Sequence, residues 1–283
     1  MGLMTGTGPL GRNPTGTFNF ETPDPGRSLF LEPTPKRIRV EVEGETVADS
    51  RRAILLQESG LQPVYYFPRD DVRVDLFEPT ERHTKCPTKG EASYYSIKVG
   101  DRFVKNGAWY YPSPIEGAEP IGDMIAFYWD RVDRWLEENE EIFVHPRDPY
   151  HRIDVLDTDR HVRVSLDGEL LADSRRATAL FESNLPPRWY LPREDVVAEL
   201  APSDTVTRCG YKGEASYYSV TLPSGETARD LVWTYPAPFP EAVQIADLLC
   251  FFNERADIEL DGEPQERPAS AWSRGVKSEA QRG

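Results

Sequence analysis

The sequence predicts a mainly β protein of two tandem domains, each built from short antiparallel strands with one short helix. Three observations predict this fold: one block of sequence occurs twice, short strand-like segments fill each copy, and Pro and Gly residues separate these segments. The block CPTKGEASYYS begins at Cys86 and returns as CGYKGEASYYS at Cys209. A chain of 283 residues is long enough for two domains that each bury a core.

The duplication extends well beyond this block. Residues 39–72 align without gaps onto residues 163–196, and 20 of the 34 positions are identical. Further along, the offset between the copies changes by one residue and then recovers, which surface loops accommodate more readily than packed strands. We therefore expect two domains of the same topology, at residues 36–143 and 160–263.

Alternation of apolar and charged residues predicts the strands. RIRVEVEGETVADS alternates in this way and turns at Glu43 and Gly44, and VRVSLDGELLADS repeats the pattern around Asp-Gly, a favoured hairpin turn. IELDGE at residues 258–263 predicts another such strand at the end of the second copy. The segments VYYFP, VRVDLF, SYYSIKV and AWYYP, with their counterparts, complete the predicted set.

Helical signals are few. FPEAVQIAD is the clearest short helix. MIAFYWDRVDRWL has apolar residues at helical spacing, but its counterpart LLCFFNERADIEL is rich in strand formers, so we predict a strand for its first half. The acidic EENEE segment that follows predicts a helical turn.

Three segments lie outside the repeats. Residues 1–35 are rich in Gly, Thr and Pro and predict an extended or disordered arm, residues 144–159 a Pro-containing linker, and residues 264–283 a disordered tail. Neither a run of apolar residues long enough to span a membrane nor an N-terminal signal core is present. We expect a cytoplasmic protein that does not contact membranes.

Charge and cysteine usage restrict the function. A net charge of −15 opposes binding to phosphate backbones, so we expect no nucleic-acid partner. The three cysteines are too few for a disulfide framework, and two Cys-x-x-Cys pairs for zinc are absent. His145 and His151 in the linker could approach a metal ion, although a linker held by hydrogen bonds is the alternative. We predict neither a metal nor a cofactor.

Four motifs, CPTKGEASYYS, VYYFPRDDV, AWYYPSPIEGAEPI and AFYWDRVD, resemble the bacterial domain of unknown function 427 family, which is also labelled nucleotidyltransferase-like. The resemblance covers both copies. It implies two tandem β-tent-like domains, in which two sheets meet like the sides of a tent. Some relatives in that superfamily carry zinc on paired cysteines, and others bind small ligands in an aromatic cage. The family's C-P-Y-K-G core is altered here, at Thr88 in one copy and at Gly210 in the other.

Cations and aromatic residues that occur in both copies are the candidate ligand-binding residues. On an acidic chain, recurrent cations could recognise an anion, and pairing with recurrent carboxylates is the alternative. Trp-x-Tyr places two rings on one strand face, where they could stack a planar ligand or pack in the core. The candidates are Arg51, Arg69, Lys89, Tyr95, Trp109 and Tyr111, with their counterparts Arg175, Arg193, Lys212, Tyr218, Trp233 and Tyr235.

Cys86 and Cys209 are candidate reactive thiols. A reactive cysteine needs nearby positive charge to lower its pKa, and a lysine follows each of them three residues later. In a strand these two positions face opposite sides, so a turn would have to bring them together. A buried structural thiol is the alternative.

The sequence predicts a protein that binds a small planar or anionic ligand in a pocket lined by Arg, Lys, Tyr and Trp. The first alternative is a metal-dependent nucleotidyltransferase-like enzyme, which would use carboxylates such as Asp49, Asp70 and Asp71 to hold Mg²⁺. The second alternative is a structural or partner-binding protein. The oligomeric state cannot be predicted from the residues.

Overall fold

The chain folds as two units, Met1–His151 and Arg152–Gly283, that share one topology. A computed structural model describes residues 2–22, 24 and 28–273. Within these residues each unit contains one seven-stranded and one four-stranded sheet, and the only helices are short 3-10 turns. The predicted mainly β tandem fold is confirmed.

The large sheet of the first unit is antiparallel throughout. Its strands are β1 (Leu29–Pro33), β4 (Ile54–Glu58), β5 (Val64–Pro68), β6 (Phe77–Cys86), β7 (Gly90–Val99), β8 (Arg102–Tyr110) and β9 (Met124–Phe127). Their spatial order is β1-β4-β5-β9-β8-β7-β6. The long hairpin β6–β7 therefore ends the sheet on one side.

The small sheet of the first unit consists of the strands β2 (Ile38–Val42), β3 (Glu45–Ser50), β10 (Arg134–Glu137) and β11 (Glu140–Ile142). Their spatial order is β11-β10-β2-β3. The helical turn predicted for EENEE is wrong, because this segment forms the β10–β11 hairpin. Trp135 pairs with Val40 of β2 and is buried, a contact that extends the sheet and that an isolated acidic turn could not make.

The second unit repeats both sheets. Its strands are β12 (Ile153–Asp157), β13 (Val162–Leu166), β14 (Glu169–Ser174), β15 (Thr178–Glu182), β16 (Arg188–Leu191), β17 (Leu200–Cys209), β18 (Gly213–Thr221), β19 (Thr227–Thr234), β20 (Leu249–Phe251), β21 (Asp257–Leu260) and β22 (Glu263–Pro264). The large sheet has the order β12-β15-β16-β20-β19-β18-β17, and the small sheet the order β14-β13-β21-β22. The hairpin β21–β22 confirms the strand predicted for IELDGE.

In the described part of the chain, the helical content is limited to short turns. They are Arg69–Asp71, Val74–Leu76, Glu119–Ile121, Arg193–Asp195, Pro240–Ile245 and Ala271–Ser273. FPEAVQIAD forms one of them, with Ala242 outside the helical region of backbone angles, and MIAFYWDRVDRWL forms β9 and β10. Over the described part of the chain, no helix has the length and apolar character needed to cross a membrane.

Each large sheet contributes to two apolar clusters. In the first unit, Phe67 packs with Val40 and Trp135 in a core shared with the small sheet. The neighbouring Tyr66 points the other way, into a second cluster with Tyr94. Because successive strand residues face opposite sides, this second face is free of the small sheet and positions the candidate site. The β-tent assignment stays a prediction.

The first strand of each large sheet lies outside the predicted repeats. β1 falls in the predicted arm and pairs with β4, and β12 falls in the predicted linker and pairs with β15. Met4 of the arm is also buried. The predicted domain bounds stay predictions, and residues 274–283 of the predicted tail lie outside the described residues.

Candidate functional site

A cavity of about 470 Å³ lies on the second face of the large sheet in the first unit. Small-molecule sites have volumes of roughly 300–1,000 Å³, so a cavity of this size accommodates a small ligand. Residues from β4, β5, β7 and β8 and from the turn between β6 and β7 line it. Four of the sequence-predicted residues meet here: Cys86, Lys89, Trp109 and Tyr111.

Aromatic rings form one wall of the cavity. The indole N–H of Trp109 donates a hydrogen bond to the hydroxyl oxygen of Tyr66 at 3.2 Å. The ring of Tyr128 lies 4.7 Å from that of Trp109 and stacks nearly parallel to that of Tyr94. Burial is the main cause that raises the pKa of Tyr66 and of Tyr111, so both hydroxyl groups stay protonated at neutral pH. The wall is therefore apolar in its faces and carries neutral hydroxyl groups.

A buried ion pair provides the polar floor. The ammonium group of Lys89, only 6% exposed, donates a hydrogen bond to Glu58, and the hydroxyl group of Thr88 donates another to the same carboxylate at 2.5 Å. Gly90 follows with φ +101°, and a Cβ there would lie 3.3 Å from the carbonyl oxygen of Ser113. The recurrent Lys-Gly pair thus combines a buried charge with a backbone conformation that favours glycine.

One hydroxyl group that lines the cavity, that of Ser59, has no hydrogen-bond partner among the described residues. Ser59 is only 4% exposed. Its counterpart Ser183 accepts a hydrogen bond from the backbone N–H of Arg152 at 2.8 Å. Buried hydroxyl groups are nearly always hydrogen-bonded, so Ser59 has a capacity that a bound group would use.

Cys86 lies at the end of β6, at the edge of the cavity. The turn that follows folds Thr88 back until its Oγ1 lies 3.1 Å from the Cys86 Sγ, within hydrogen-bond distance. Burial raises the pKa of the Cys86 thiol, but the hydrogen bonds with Thr88 and the charge of Lys89 outweigh it, and the net pKa lies below the ordinary value. The turn thus supplies the proximity that a continuous strand would not.

The second unit has the same buried lysine–glutamate pair as the polar floor of this site. Lys212 pairs with Glu182, and the indole N–H of Trp233 donates a hydrogen bond to Tyr190 at 3.0 Å. Gly213 has the same φ of +101° as its counterpart in the first unit. The ion pair, the indole–phenol contact and the turn glycine therefore belong to the shared fold.

Larger side chains occupy the corresponding space in the second unit. Arg188 stands where the first unit has Val64, and its guanidinium group lies 5.3 Å from the ring centre of Trp233. It donates two hydrogen bonds to Glu254, at 2.7 and 2.8 Å, and it also lies 5.4 Å from the ring centre of Trp272. The second unit thus covers its aromatic wall with its own residues.

The remaining candidates of the first unit lie elsewhere. The guanidinium group of Arg69 donates a hydrogen bond to the hydroxyl of Tyr95 at 2.9 Å and lies over the rings of Tyr95 and Tyr110. Tyr95 packs with the core between the sheets, on the opposite face from Tyr94. Arg51 borders a shallow basin of about 460 Å³, beside the ion pair of Arg52 with Asp71. The six positions predicted in the first unit therefore lie in three separate places: the cavity, the opposite face of the large sheet, and the basin at Arg51.

The second unit divides its candidates in the same way. Arg193 lies over the ring of Tyr218 at 5.4 Å. Arg175 donates a hydrogen bond to His161 at 3.3 Å, on the surface. Lys212, Trp233 and Tyr235 are buried, as are their first-unit counterparts except for Trp109, which is half-buried.

Several residues of the cavity were not among the sequence-based candidates. Tyr94, and not Tyr95, faces Trp109, because these two are cross-strand partners in the β7–β8 register. Both tyrosines recur, so recurrence could not choose between them, and only the register does. Among the other lining residues that were missed are Arg12, Glu58, Ser59, Val64, Tyr66, Lys85, Thr88 and Tyr128.

Two of the three carboxylates considered for a transferase, Asp49 and Asp71, are engaged by arginines. Arg37 pairs with Asp49, and Arg52 donates a hydrogen bond to Asp71 at 2.5 Å. Across the described ranges, no group of three or more His, Cys, Asp or Glu side chains is placed to hold a metal ion. The ring of His145 is hydrogen-bonded with the Pro146 carbonyl oxygen, at 2.7 Å.

Fold and site together define a tandem, two-sheet β protein with an aromatic cavity in its first unit. The family model described as domain of unknown function (DUF427) matches residues 30–138 and 154–262, and the chain belongs to this family. Leucine–tRNA ligases from two strains of Caulobacter vibrioides are 32% identical to it over 84 residues. That similarity covers 27% of this chain and 10% of each ligase, so the chain spans about a tenth of their length.

Proposed function

We propose that this protein binds a small planar ligand with an anionic group in the cavity of its first unit. The observation that carries the proposal is the meeting of an aromatic wall, at Trp109 and Tyr128, with a buried polar floor, at Glu58 and Lys89, around one cavity. Ligand sites combine apolar walls with a few placed polar groups in this way. The rings would stack the planar part, and the floor would orient its polar edge.

The charges at the cavity support an anionic group. Arg12, Lys85 and Lys89 line it together with one carboxylate, Glu58, although the whole chain carries a net charge of −15. Lys89 is already paired with Glu58, and its charge is therefore largely neutralised. The positive charges that would attract an anionic ligand are those of Arg12 and Lys85 at the rim of the cavity. A concentration of cations at one opening of an acidic protein favours the approach of small anions.

The proposal concerns the first unit and not the second. Arg188 and Tyr211 replace Val64 and Thr88 of the cavity lining, and both replacements are larger and buried. We expect the second unit to contribute stability rather than a second site of the same kind.

No observation among the described residues favours the transferase or the partner-binding alternative. The ligases that resemble this chain are named for leucine and tRNA, but the similarity covers only 10% of each. We therefore do not propose aminoacylation for this protein.

The test is a thermal-shift titration with a panel of aromatic carboxylates and nucleoside monophosphates. A compound at 100 times its dissociation constant adds about 2.7 kcal/mol to the folded state. We expect at least one compound to stabilise the wild-type protein, and the Val64→Arg and Thr88→Tyr variants to lose that response. These variants carry side chains that the second unit already accommodates, so the fold should tolerate them.

Arg69→Gln serves as the matched control, because Arg69 lies on the opposite face of the sheet from the cavity. It should keep the response of the wild type. An equal response in all four proteins, or none in the wild type across the panel, contradicts the proposal.

A further inference from the structure

The cavity contains a hydrogen-bonded relay that ends at a thiol. The Sγ of Cys86 lies 3.1 Å from the Thr88 Oγ1, and this hydroxyl group donates a hydrogen bond to Glu58 at 2.5 Å. The hydroxyl proton points to the carboxylate, so the hydroxyl oxygen is free to accept the thiol proton. Cys86, Thr88 and Glu58 are therefore arranged as nucleophile, relay and base.

We propose that Cys86 is the nucleophile of a thiol–disulfide exchange with a small aromatic, anionic disulfide that enters the cavity. The inference rests on the proposed function, because the aromatic wall and the rim cations would hold the disulfide against the thiol. Lys89 lies on the other side of Glu58 and adds positive charge close to the sulfur.

A second observation indicates a ligand at this place. The Ser59 hydroxyl lines the same cavity, is 4% exposed, and has no partner among the described residues. A polar group of a bound disulfide would satisfy it, as the backbone N–H of Arg152 satisfies Ser183 in the second unit.

The exchange balances without a further reactant. The thiol proton passes to the Thr88 oxygen as the Thr88 proton passes to Glu58, which leaves a thiolate at Cys86. The thiolate attacks one sulfur of the disulfide, a new S–S bond forms, and the old S–S bond breaks. One half of the disulfide leaves as a thiolate; it takes up the proton held by Glu58, or it stays ionised and Glu58 releases that proton to solvent. A small thiol from solution reverses the reaction by the same exchange.

The second unit offers a matched control. Cys86 and Cys209 are both of intermediate exposure, so exposure alone predicts similar reaction rates. Cys209 keeps the Lys212–Glu182 pair nearby but has Tyr211 in place of the relaying threonine. The third thiol, Cys250, is fully buried, and burial is the main cause that raises its pKa to about 12.

The test uses dithiobis(nitrobenzoate), an aromatic disulfide with two carboxylates, on the full chain. The wild-type protein is treated with less than one equivalent, and the labelled peptides are quantified by mass spectrometry. We expect Cys86 to react about tenfold or more faster than Cys209, the range over which thiolate fraction separates reactive from ordinary cysteines. Equal rates at the two cysteines overturn the inference.

Thr88 variants test the relay itself. Thr88→Val removes the hydroxyl group at nearly constant volume and should bring the rate at Cys86 down to that at Cys209. Thr88→Ser retains the hydroxyl group and should keep the fast reaction. A rate that is unchanged in Thr88→Val overturns the relay, and equal loss in both variants indicates a purely structural role, which overturns it as well.

A neutral reagent separates this inference from the proposed function. We expect the preference for dithiobis(nitrobenzoate) over hydroxyethyl disulfide to be larger at Cys86 than at Cys209, and equal preferences overturn the claim that the cavity selects the disulfide. If panel compounds stabilise the protein while both cysteines react equally, this inference fails and the proposed function stands. If Cys86 reacts fast through Thr88 while no panel compound stabilises the protein, the proposed function fails in its choice of ligands and the exchange stands.

Discussion

Lys89 forms a buried ion pair with Glu58 beside the cavity, and the second unit repeats this pair in Lys212 and Glu182. In both units the lysine follows the end of a long strand and precedes a glycine with φ of +101°. Removal of one partner from a buried pair leaves an uncompensated charge, which costs far more than the pair contributes as a whole. A substitution in this pair should therefore lower the stability of the fold and also change the polar lining of the cavity.

Replacement of Lys89 should destabilise the first unit strongly. Lys89→Met leaves the largely enclosed Glu58 carboxylate, 13% exposed, without its cation, and we expect the free energy of unfolding to fall by about 3–5 kcal/mol. Urea denaturation followed by tryptophan fluorescence measures this change. Lys85→Met in the same turn is the control, because Lys85 is exposed, and its effect should stay within about 0.5 kcal/mol. Similar effects of the two variants would contradict the role given to the buried pair.

The turn glycines should resist substitution. At Gly90 a Cβ would lie 3.3 Å from the Ser113 carbonyl oxygen, and at Gly213 it would lie 3.2 Å from that of Ala237. Since φ is +101° at both, alanine is strained as well as crowded, and we expect a loss of roughly 1–3 kcal/mol in each variant. Thermal unfolding checks this. Gly16→Ala, where a Cβ meets nothing within 4 Å, should leave the melting temperature unchanged.

Acid should weaken the surface pairs that recur in the two units. Burial raises the pKa of Asp71, but hydrogen bonds from Arg52 and Ser50 lower it more, and the net pKa is below the ordinary value. The folded state therefore binds fewer protons here than the unfolded state. The stability that this difference contributes is complete above the pKa of the unfolded state, about 3.9, and is lost as the pH falls through the lower pKa of the folded state.

Asp71→Asn removes this source of acid sensitivity. We expect the variant to be less stable than the wild type at neutral pH by about 1.5–3 kcal/mol, the usual range for a hydrogen bond to a charged group, and the difference to shrink below pH 4. Denaturant titrations at several pH values measure both effects. Asp70→Asn, at an exposed neighbouring position, is the control. A difference that is constant with pH would show that ionisation of Asp71 does not contribute.

The fold could be predicted from the sequence because its signals are local and occur twice. The hairpin at Glu43 and Gly44 follows from alternation and turn chemistry, and both residues take the positive φ that such a turn requires. The strand at Met124–Phe127 followed from comparison of the two copies. The hairpin around Glu138 was missed because its acidic residues favour a helix locally, whereas pairing with β2 is a tertiary contact.

The candidate site could be predicted only in part, for a physical reason. Trp109 and Tyr111 lie two positions apart, so their shared face followed from the strand period alone. Lys89 and Cys86 needed the path of a turn, and Tyr94 needed the register between strands. Arg69 recurs for a different reason, its contact with Tyr95 on the other face of the sheet. Recurrence within one chain identifies the residues that both copies have in common. The cavity depends instead on positions at which the copies differ, Val64 and Thr88.

Nuclear magnetic resonance of the indole N–H groups tests the central claim most directly. The chain has six tryptophans, and Trp109→Phe and Trp233→Phe assign the two resonances that matter. Addition of the panel compound with the largest thermal shift should move the Trp109 resonance, because its N–H bonds Tyr66 in the cavity wall, and should leave that of Trp233 in place. Saturable movement of Trp109 alone is the result that the account predicts. A stationary Trp109 resonance, or equal movement of the two, would contradict a ligand site in the first unit.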